Sequence, residues 1–406
     1  MSRSSVASKP SSAASRLFLS FERRAVPLMR RAGELAFVAA VRDALPWSFI
    51  ALAAAFLVIF GMQLAARAPA TPSLGLRLAS ALLPSFGVMA AALAVLLAVR
   101  LARTSGYGVA PLVVASVVSF TLALPRPFGP HTIAYLRLVG ASGLFVAILS
   151  CGVAAAWIAL LRRRLSPSLA DWAGALLGIA TFASLAALHF SLPGAIASAM
   201  HPIARLGDTY VALIAIVLIE TLLWTAGVHG PAMLAAIVTP VYLTMQMQNT
   251  HAFTVHEPLP YIVVVSLFLF VFPGGAGATL PLAGLLAVSA VPRLRRVGRA
   301  TFIPSLFNLN EPLLFAAPVV FNPHLVVPFV GAPIVLATVT YAAVATGLVS
   351  RAAFYIPSSV PTFVSTYLAT QDLRALALAA LNIVLATIIY YPFVRAYERH
   401  VLRDST

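Results

Sequence analysis

Residues 304–323 read P-S-L-F-N-L-N-E-P-L-L-F-A-A-P-V-V-F-N-P, which sets Glu311, Asn308, Asn310 and Asn322 among apolar neighbours and four prolines. An ionisable side chain in such company is costly and marks a functional site by default. Carboxylates and side-chain amides are natural hydrogen-bonding partners for sugar hydroxyls. The competing reading is a loop outside the membrane whose Glu is solvated, and the apolar flanks weigh against it.

Two further groups carry possible chemistry. Residues 224–231 read W-T-A-G-V-H-G-P and place His229 between two glycines at the end of an apolar run. His229 either caps a helix C-terminus at an interface or is presented from a tight turn inside the membrane, where glycine lets backbone and ligand approach closely. Residues 272–280, F-P-G-G-A-G-A-T-L, form a Gly-rich loop with Gly275, Gly277 and Thr279 as candidate contacts. Such a loop can offer backbone N–H groups to an anion or to hydroxyls. It lacks the Lys of a nucleotide-binding loop, and its plainer reading is a helix break packed on a neighbour.

Other ionisable residues are weaker candidates. Glu220 lies inside an apolar run and needs a partner, for which the region of His229 is the candidate. Arg205 and Asp208 share a short connection and are expected to pair. His189 and Asp171 sit near the ends of apolar runs. His251, His256 and Glu257 fall in a polar connection, 246–260, and read as solvated. No Ser/His/Asp arrangement or metal-ligand spacing is present, so neither a metal nor a cofactor is expected.

The elements that must position these residues are membrane helices. The chain has 406 residues, 61% hydrophobic and 9% charged, against roughly 25% charged in soluble domains. Spanning helices need ~20 apolar residues. Candidate runs are 44–66, 76–99, 107–124, 135–161, 169–192, 210–226, 261–272, 280–291, 325–349 and 373–393. The pair 261–272 and 280–291 is too short for two ordinary spans and is broken by Gly274, Gly275 and Gly277. The excess of 27 Lys+Arg over 11 Asp+Glu gathers at the ends of apolar runs. That is the positive-inside pattern rather than a nucleic-acid-binding face, and it puts both termini in the cytoplasm.

Four regions follow: a basic tail and amphipathic lead-in helix over 1–43, a scaffold half over 44–195, a broken second half over 196–394 and a cytoplasmic tail over 395–406. The second half is interrupted by Pro, Gly, Asn and His. Broken backbone at membrane depth is tolerated only where it is buried in protein or lines a cavity, so the second half should hold the site. The lone Cys151 lies in an apolar run and reads as a small packing residue.

The F-N-L-N-E-P segment at 307–312 with N-P at 322–323 resembles the signature of the enzyme IIC sugar permeases of the bacterial phosphotransferase system. The nearest branch is the lactose/cellobiose/diacetylchitobiose family. The turn at 227–230 resembles that family's G-[IV]-H-G, the loop at 274–280 its G-G-S-G-A-T-L, and 390–393 its closing Y-x-P-F. Residues 38–43 and 140–147 also fit, so the resemblance runs from about Glu22 to Glu398. It implies an all-α polytopic inner-membrane homodimer with about ten transmembrane helices and two re-entrant hairpins per subunit. The first half would make the dimer interface and the second would carry the sugar. His229 and Glu311 would bind the sugar, with Glu311 as the catalytic candidate near the hydroxyl that is phosphorylated. Asn308, Asn310, Gly275, Gly277, Thr279 and Ser358 would support the sugar or the hairpin. The implied substrate is a β-linked disaccharide such as cellobiose, lactose or diacetylchitobiose. Phosphate would come from separate IIA and IIB proteins, because Cys151 within a span cannot serve as the phosphocysteine of a IIB partner.

The sequence departs from that pattern at three informative places. Ala276 stands for a hydroxyl residue in the Gly-rich loop, and Ala316 stands for a Gly. Residues 357–361 read P-S-S-V-P, so Ser358 stands where an aromatic platform for a sugar ring is expected. These changes motivate a second hypothesis, a membrane sugar sensor with the permease fold and no coupled phosphorylation. A facilitator that moves sugar unmodified is a third.

Overall fold

The computed structural model describes residues 35–65, 73–124, 132–225, 230–317, 319 and 323–403, and every regular element among them is helical. His229 and Asn322 lie outside the described residues, as does all but the end of the expected lead-in helix. The first elements are long: α1 (Ala36–Ala65), α2 (Leu74–Ser105), α3 (Val109–Ala123), α4 (Thr132–Leu161) and α5 (Pro167–Ala187). Local chemistry sets their limits. Ser73 Oγ accepts the Leu76 N–H at 3.4 Å to open α2, and Gly106 closes it at φ +69° while donating to the Ala102 carbonyl. Pro167 opens α5, where its missing N–H costs nothing. Between α4 and α5, Arg162 grips Asp171 through two 2.6 Å bonds, and the Gly108 N–H donates to the same carboxylate at 2.6 Å. Asp171 is therefore a buried staple of this half.

The second half is more broken. It runs through α6 (Leu192–Gly207), α7 (Tyr210–Thr225), α8 (Gly230–Thr254), a 3-10 turn (Val265–Leu267), α9 (Phe268–Val271) and α10 (Leu280–Ala287). It continues with α11 (Pro292–Leu306), α12 (Glu311–Ala316), α13 (Pro323–Ala345), α14 (Thr362–Thr370) and α15 (Arg374–Arg403). Among the described residues six helices, α1, α2, α4, α5, α13 and α15, are long and apolar enough to cross a membrane, and α6 and α7 meet at an 80° bend. The runs 261–272 and 280–291 form no span: they become an extended stretch, the 3-10 turn, α9, the Gly-rich loop and α10.

Two expectations need correction. The stretch 246–260 is not all connection, because α8 continues to Thr254 and buries Gln246, Asn249 and Thr250 on one face. Asp208 does not pair with Arg205. Its Oδ1 accepts the Ile262 and Val263 N–H groups, both at 2.7 Å, where an extended segment needs an acceptor.

Two apolar clusters hold the chain together. The larger joins α1 to α4 with parts of α6 to α9 and α13 to α15. The smaller sits behind the Gly-rich loop and includes Ala278, Leu282, Leu313, Phe329 and Tyr390. The arginines of α11 point away from it: Arg293, Arg296 and Arg299 are exposed while Leu294 and Gly298 are buried.

Candidate saccharide site

Two extended segments run past the site, one through 259–264 and one through 350–356, and neither has a helical ladder to satisfy its backbone. The polar face of α8 does this instead. Asn249 Nδ2 donates to the carbonyls of Tyr261 (2.8 Å) and Ala352 (3.0 Å), and its Oδ1 accepts the Tyr261 N–H at 2.9 Å. Gln246 Nε2 donates to the Ala352 carbonyl at 3.1 Å while its Oε1 accepts the Ser266 N–H at 3.1 Å. Thr250 Oγ1 donates to the Ala353 carbonyl. Unsatisfied backbone in a membrane interior costs several kcal/mol per group, so these amides are what permit open backbone here.

The Gly-rich loop is pinned in the same manner. Asn308 takes φ +59°, a left-handed conformation that Asn tolerates. Its Oδ1 accepts the Gly274 N–H at 2.7 Å, and its Nδ2 donates to the carbonyls of Ser358 (2.5 Å) and Val360 (3.3 Å). One amide thus joins three segments. Asn310, 3% exposed, donates to the Ala276 carbonyl at 2.6 Å. A side chain at Gly275 would stand 2.7 Å from Asn310 Cγ and 2.9 Å from the Asn308 carbonyl, so glycine is what lets the loop and the Asn-Glu turn meet. Thr279 Oγ1 donates to the Gly274 carbonyl and the Tyr390 hydroxyl to the Gly277 carbonyl, both at 2.7 Å.

Asn308→Ala removes three hydrogen bonds and leaves a non-Gly, non-Asn residue at positive φ. It should cost about 2 kcal/mol, read as a lower melting temperature in detergent. Asn308→Asp keeps the acceptor but turns a carboxylate on two carbonyls, so it should not restore the loss. Wild-type melting in Asn308→Ala would mean the loop is held elsewhere.

Between these segments lies a cavity of about 360 Å³, within the range of small-molecule sites. Asn308, Asn310, Glu311, Gly275, Ala276 and Ser358 are among the residues that line it. Phe268, Phe272, Tyr242, Tyr355 and Trp224 supply aromatic surface to the same cavity. Phe268 and Phe272 stack with ring centroids 6.1 Å apart, and Tyr355 stacks on Phe49 at 5.7 Å. Five sequence candidates therefore meet here: Glu311, Asn308, Asn310, Gly275 and Ser358. Gly277 and Thr279 do not line the cavity; both are buried behind it, holding the loop. His229 falls between Trp224 and Pro231, which both line the cavity, but is itself outside the described residues. Ser358 contributes its carbonyl to Asn308, and the ring missing at 358 has a counterpart in Tyr355, three residues earlier.

The comparisons with known proteins bear on this geometry. The model of the family "Phosphotransferase system, EIIC" matches residues 50–333. The chain belongs to that family. This EIIC chain is 30% identical over 361 residues to the lichenan permease IIC component of Bacillus subtilis, covering 79% of this chain and 78% of that one. Over 204 residues it is 34% identical to the cellobiose-specific EIIC component of Geobacillus stearothermophilus, covering 49% and 45%. The fold matches the crystal structure of the transporter ChbC, the IIC component of an N,N'-diacetylchitobiose-specific phosphotransferase system. The TM-score is 0.80 at 24% identity, over 95% of this chain and 99% of that one. The protein is thus a multi-pass membrane permease component that works with EIIA and EIIB proteins and a sugar. The relatives are permeases, which sets aside the sensor considered from the sequence.

Proposed function

We propose that this EIIC chain binds a β-linked disaccharide in the cavity and presents it inward for phosphorylation by a separate, phosphorylated EIIB protein. The observation that carries this reading is the convergence of Glu311, Asn308 and Asn310 with aromatic walls on one cavity. Sugars have polar edges and apolar ring faces, and a cavity lined by a carboxylate, other polar groups and aromatic rings can meet both. Glu311 accepts a hydrogen bond from the hydroxyl that is phosphorylated and takes its proton as the phosphoryl group arrives, the work of a general base. His229 is its partner at the sugar in this reading. The names of the relatives, for lichenan and cellobiose, support a β-linked substrate.

The wider architecture in this reading has about ten spans and two re-entrant hairpins per subunit. The short helices α9, α10 and α12 beside the Gly-rich loop and Glu311 support the hairpins. Residues 44–195 form the scaffold and dimer interface, and 196–394 carry the sugar between the two sides in an elevator-like movement. The exposed apolar side chains of α1, Trp47, Ile50 and Leu57 among them, suit lipid or a second subunit. The exposed arginines of α11 support a cytoplasmic position for that end of the molecule, and with it for both termini.

Binding of a labelled β-linked disaccharide to purified protein tests the site. Saturable binding is expected, and Phe272→Ala should weaken it about tenfold by removing ring surface beside the sugar. A folded protein that binds no such sugar contradicts the reading. Binding that Phe272→Ala leaves unchanged would place the sugar elsewhere.

A further inference from the structure

Two of the cavity's rings, Phe268 and Phe272, stand at the two ends of a very short helix. α9 has four residues, Phe268–Val271, so most of its carbonyls find no partner within it. The Phe272 N–H closes one turn on the Phe268 carbonyl at 2.9 Å. The Phe270 carbonyl is met from another helix: Asn382 Nδ2, on α15, donates to it at 2.9 Å. The same nitrogen donates to Thr340 Oγ1, on α13, also at 2.9 Å. A carbonyl can only accept, so it is the amide nitrogen that must face Phe270. One side chain thus ties α9 to two long apolar helices. Asn382, Thr340 and Phe270 are all fully buried. A polar side chain inside an apolar membrane helix is costly and marks a function by default.

Helical spacing indicates what this bond controls. Phe268 and Phe272 are four residues apart and share a face. Both line the cavity, with ring centroids 6.1 Å apart. Phe270, two residues from each, points the other way and is buried in the larger core. Tyr242, which also lines the cavity, meets Phe268 edge-on at 6.0 Å. Holding the Phe270 carbonyl fixes the rotation and height of α9, and with them the place of this aromatic face.

We propose that Asn382 is a positioning residue for sugar binding, which acts through Phe270 to set the Phe268–Phe272 face against the saccharide ring. The inference rests on the cavity being the saccharide site. Side chains that meet a ligand bind it well only when the groups behind them lock their place. The turn before Glu311 is held separately, by Asn308 and Asn310. Loss of Asn382 should therefore act on affinity and spare the chemistry.

The test uses whichever of cellobiose, lactose and diacetylchitobiose the wild-type protein binds most tightly. Asn382→Ala should weaken its binding at least about fivefold. Phosphorylation-coupled uptake at saturating sugar should stay within about twofold, the mark of lost binding rather than lost chemistry. A second comparison starts from protein carrying Phe268→Leu and Phe272→Leu, which keeps apolar bulk and has no rings to place. There Asn382→Ala should change affinity by less than about twofold, because coupled residues do not add. Unchanged affinity in Asn382→Ala overturns the proposal. So does saturating uptake that falls as far as affinity, or an equal loss of affinity in the background without the rings. Asn382→Leu keeps the side chain's bulk, loses the donor and decides where Asn382→Ala fails to fold. Failure of both to fold would mean that Asn382 holds the whole fold, which overturns the proposal too. Wild-type binding that Asn382→Ala leaves intact rejects this role and leaves the site standing. Binding of none of the three sugars by wild-type protein rejects the site and this role with it.

Discussion

Glu311→Gln should lower phosphorylation-coupled uptake of a β-linked disaccharide by at least about a hundredfold while leaving the fold intact. General-base catalysis is worth roughly 10²–10⁴ in rate, and glutamine, almost isosteric, cannot accept a proton from the attacking hydroxyl. The variant should fold because glutamine keeps the size and shape of the side chain and the neighbouring turn has hydrogen bonds of its own. The turn before it is held by Asn308 and Asn310 acting on Gly274, Ala276, Ser358 and Val360. Sugar binding should weaken less than uptake, since an amide still offers hydrogen bonds to hydroxyls. The split between the two separates a residue that takes the proton from one that only grips the sugar. Uptake unchanged in Glu311→Gln would remove this carboxylate from the reaction.

Gly277→Ala should destabilise the protein by about 4 kcal/mol, close to the whole stability of a marginal fold. Two effects add. Gly277 sits at φ +84°, where a Cβ is strained by about 1–2 kcal/mol. The added Cβ would also collide with the ring of Phe329, which is 1% exposed in the smaller core and has little room to shift. Forcing an atom into packed core costs roughly 1–3 kcal/mol. Gly347 separates the two effects: its φ is +76°, yet a Cβ there meets nothing within 4 Å. Gly347→Ala should therefore lower the melting temperature in detergent by the strain alone, and Gly277→Ala by clearly more. Equal shifts would mean that Phe329 yields and that the loop is not wedged against the core.

These two positions also show what sequence alone could and could not reveal. Glu311 stood out because charge is scarce in this chain, and an ionisable group amid apolar residues needs a reason to be there. The Gly-rich loop stood out because closely spaced glycines can offer backbone N–H groups to a ligand. Gly277 and Thr279 entered as candidates to support the sugar or the hairpin through the family resemblance. Both are buried behind the cavity, where a carbonyl held by Tyr390 and a hydroxyl held by Gly274 keep the loop in shape.

The aromatic walls were not legible. Tyr242, Phe272 and Tyr355 are aromatic residues in a chain that is 61% hydrophobic, and composition does not separate a cavity wall from a core. Ser358 drew attention as the loss of a ring, while Tyr355, three residues earlier, borders the same cavity. The polar face of α8 was legible in principle: Gln246, Asn249 and Thr250 are spaced three and four apart, the signature of one helical face. Their polarity made the stretch look like solvent-exposed connection. In a membrane protein, buried amides also mark where non-helical backbone crosses the interior and needs partners. Asp208 follows the same rule, since it serves two backbone N–H groups in preference to a nearby arginine.

In the proposed function this chain moves a β-linked disaccharide and couples its entry to phosphorylation at the cavity beside Glu311. The most direct measurement is uptake of a labelled disaccharide into proteoliposomes, with phosphorylated EIIB inside and, separately, with EIIB left unphosphorylated. The account predicts that sugar phosphate accumulates only with phosphorylated EIIB, and that Glu311→Gln abolishes it. Accumulation of unmodified sugar at the same rate in both cases would contradict the account and favour a facilitator.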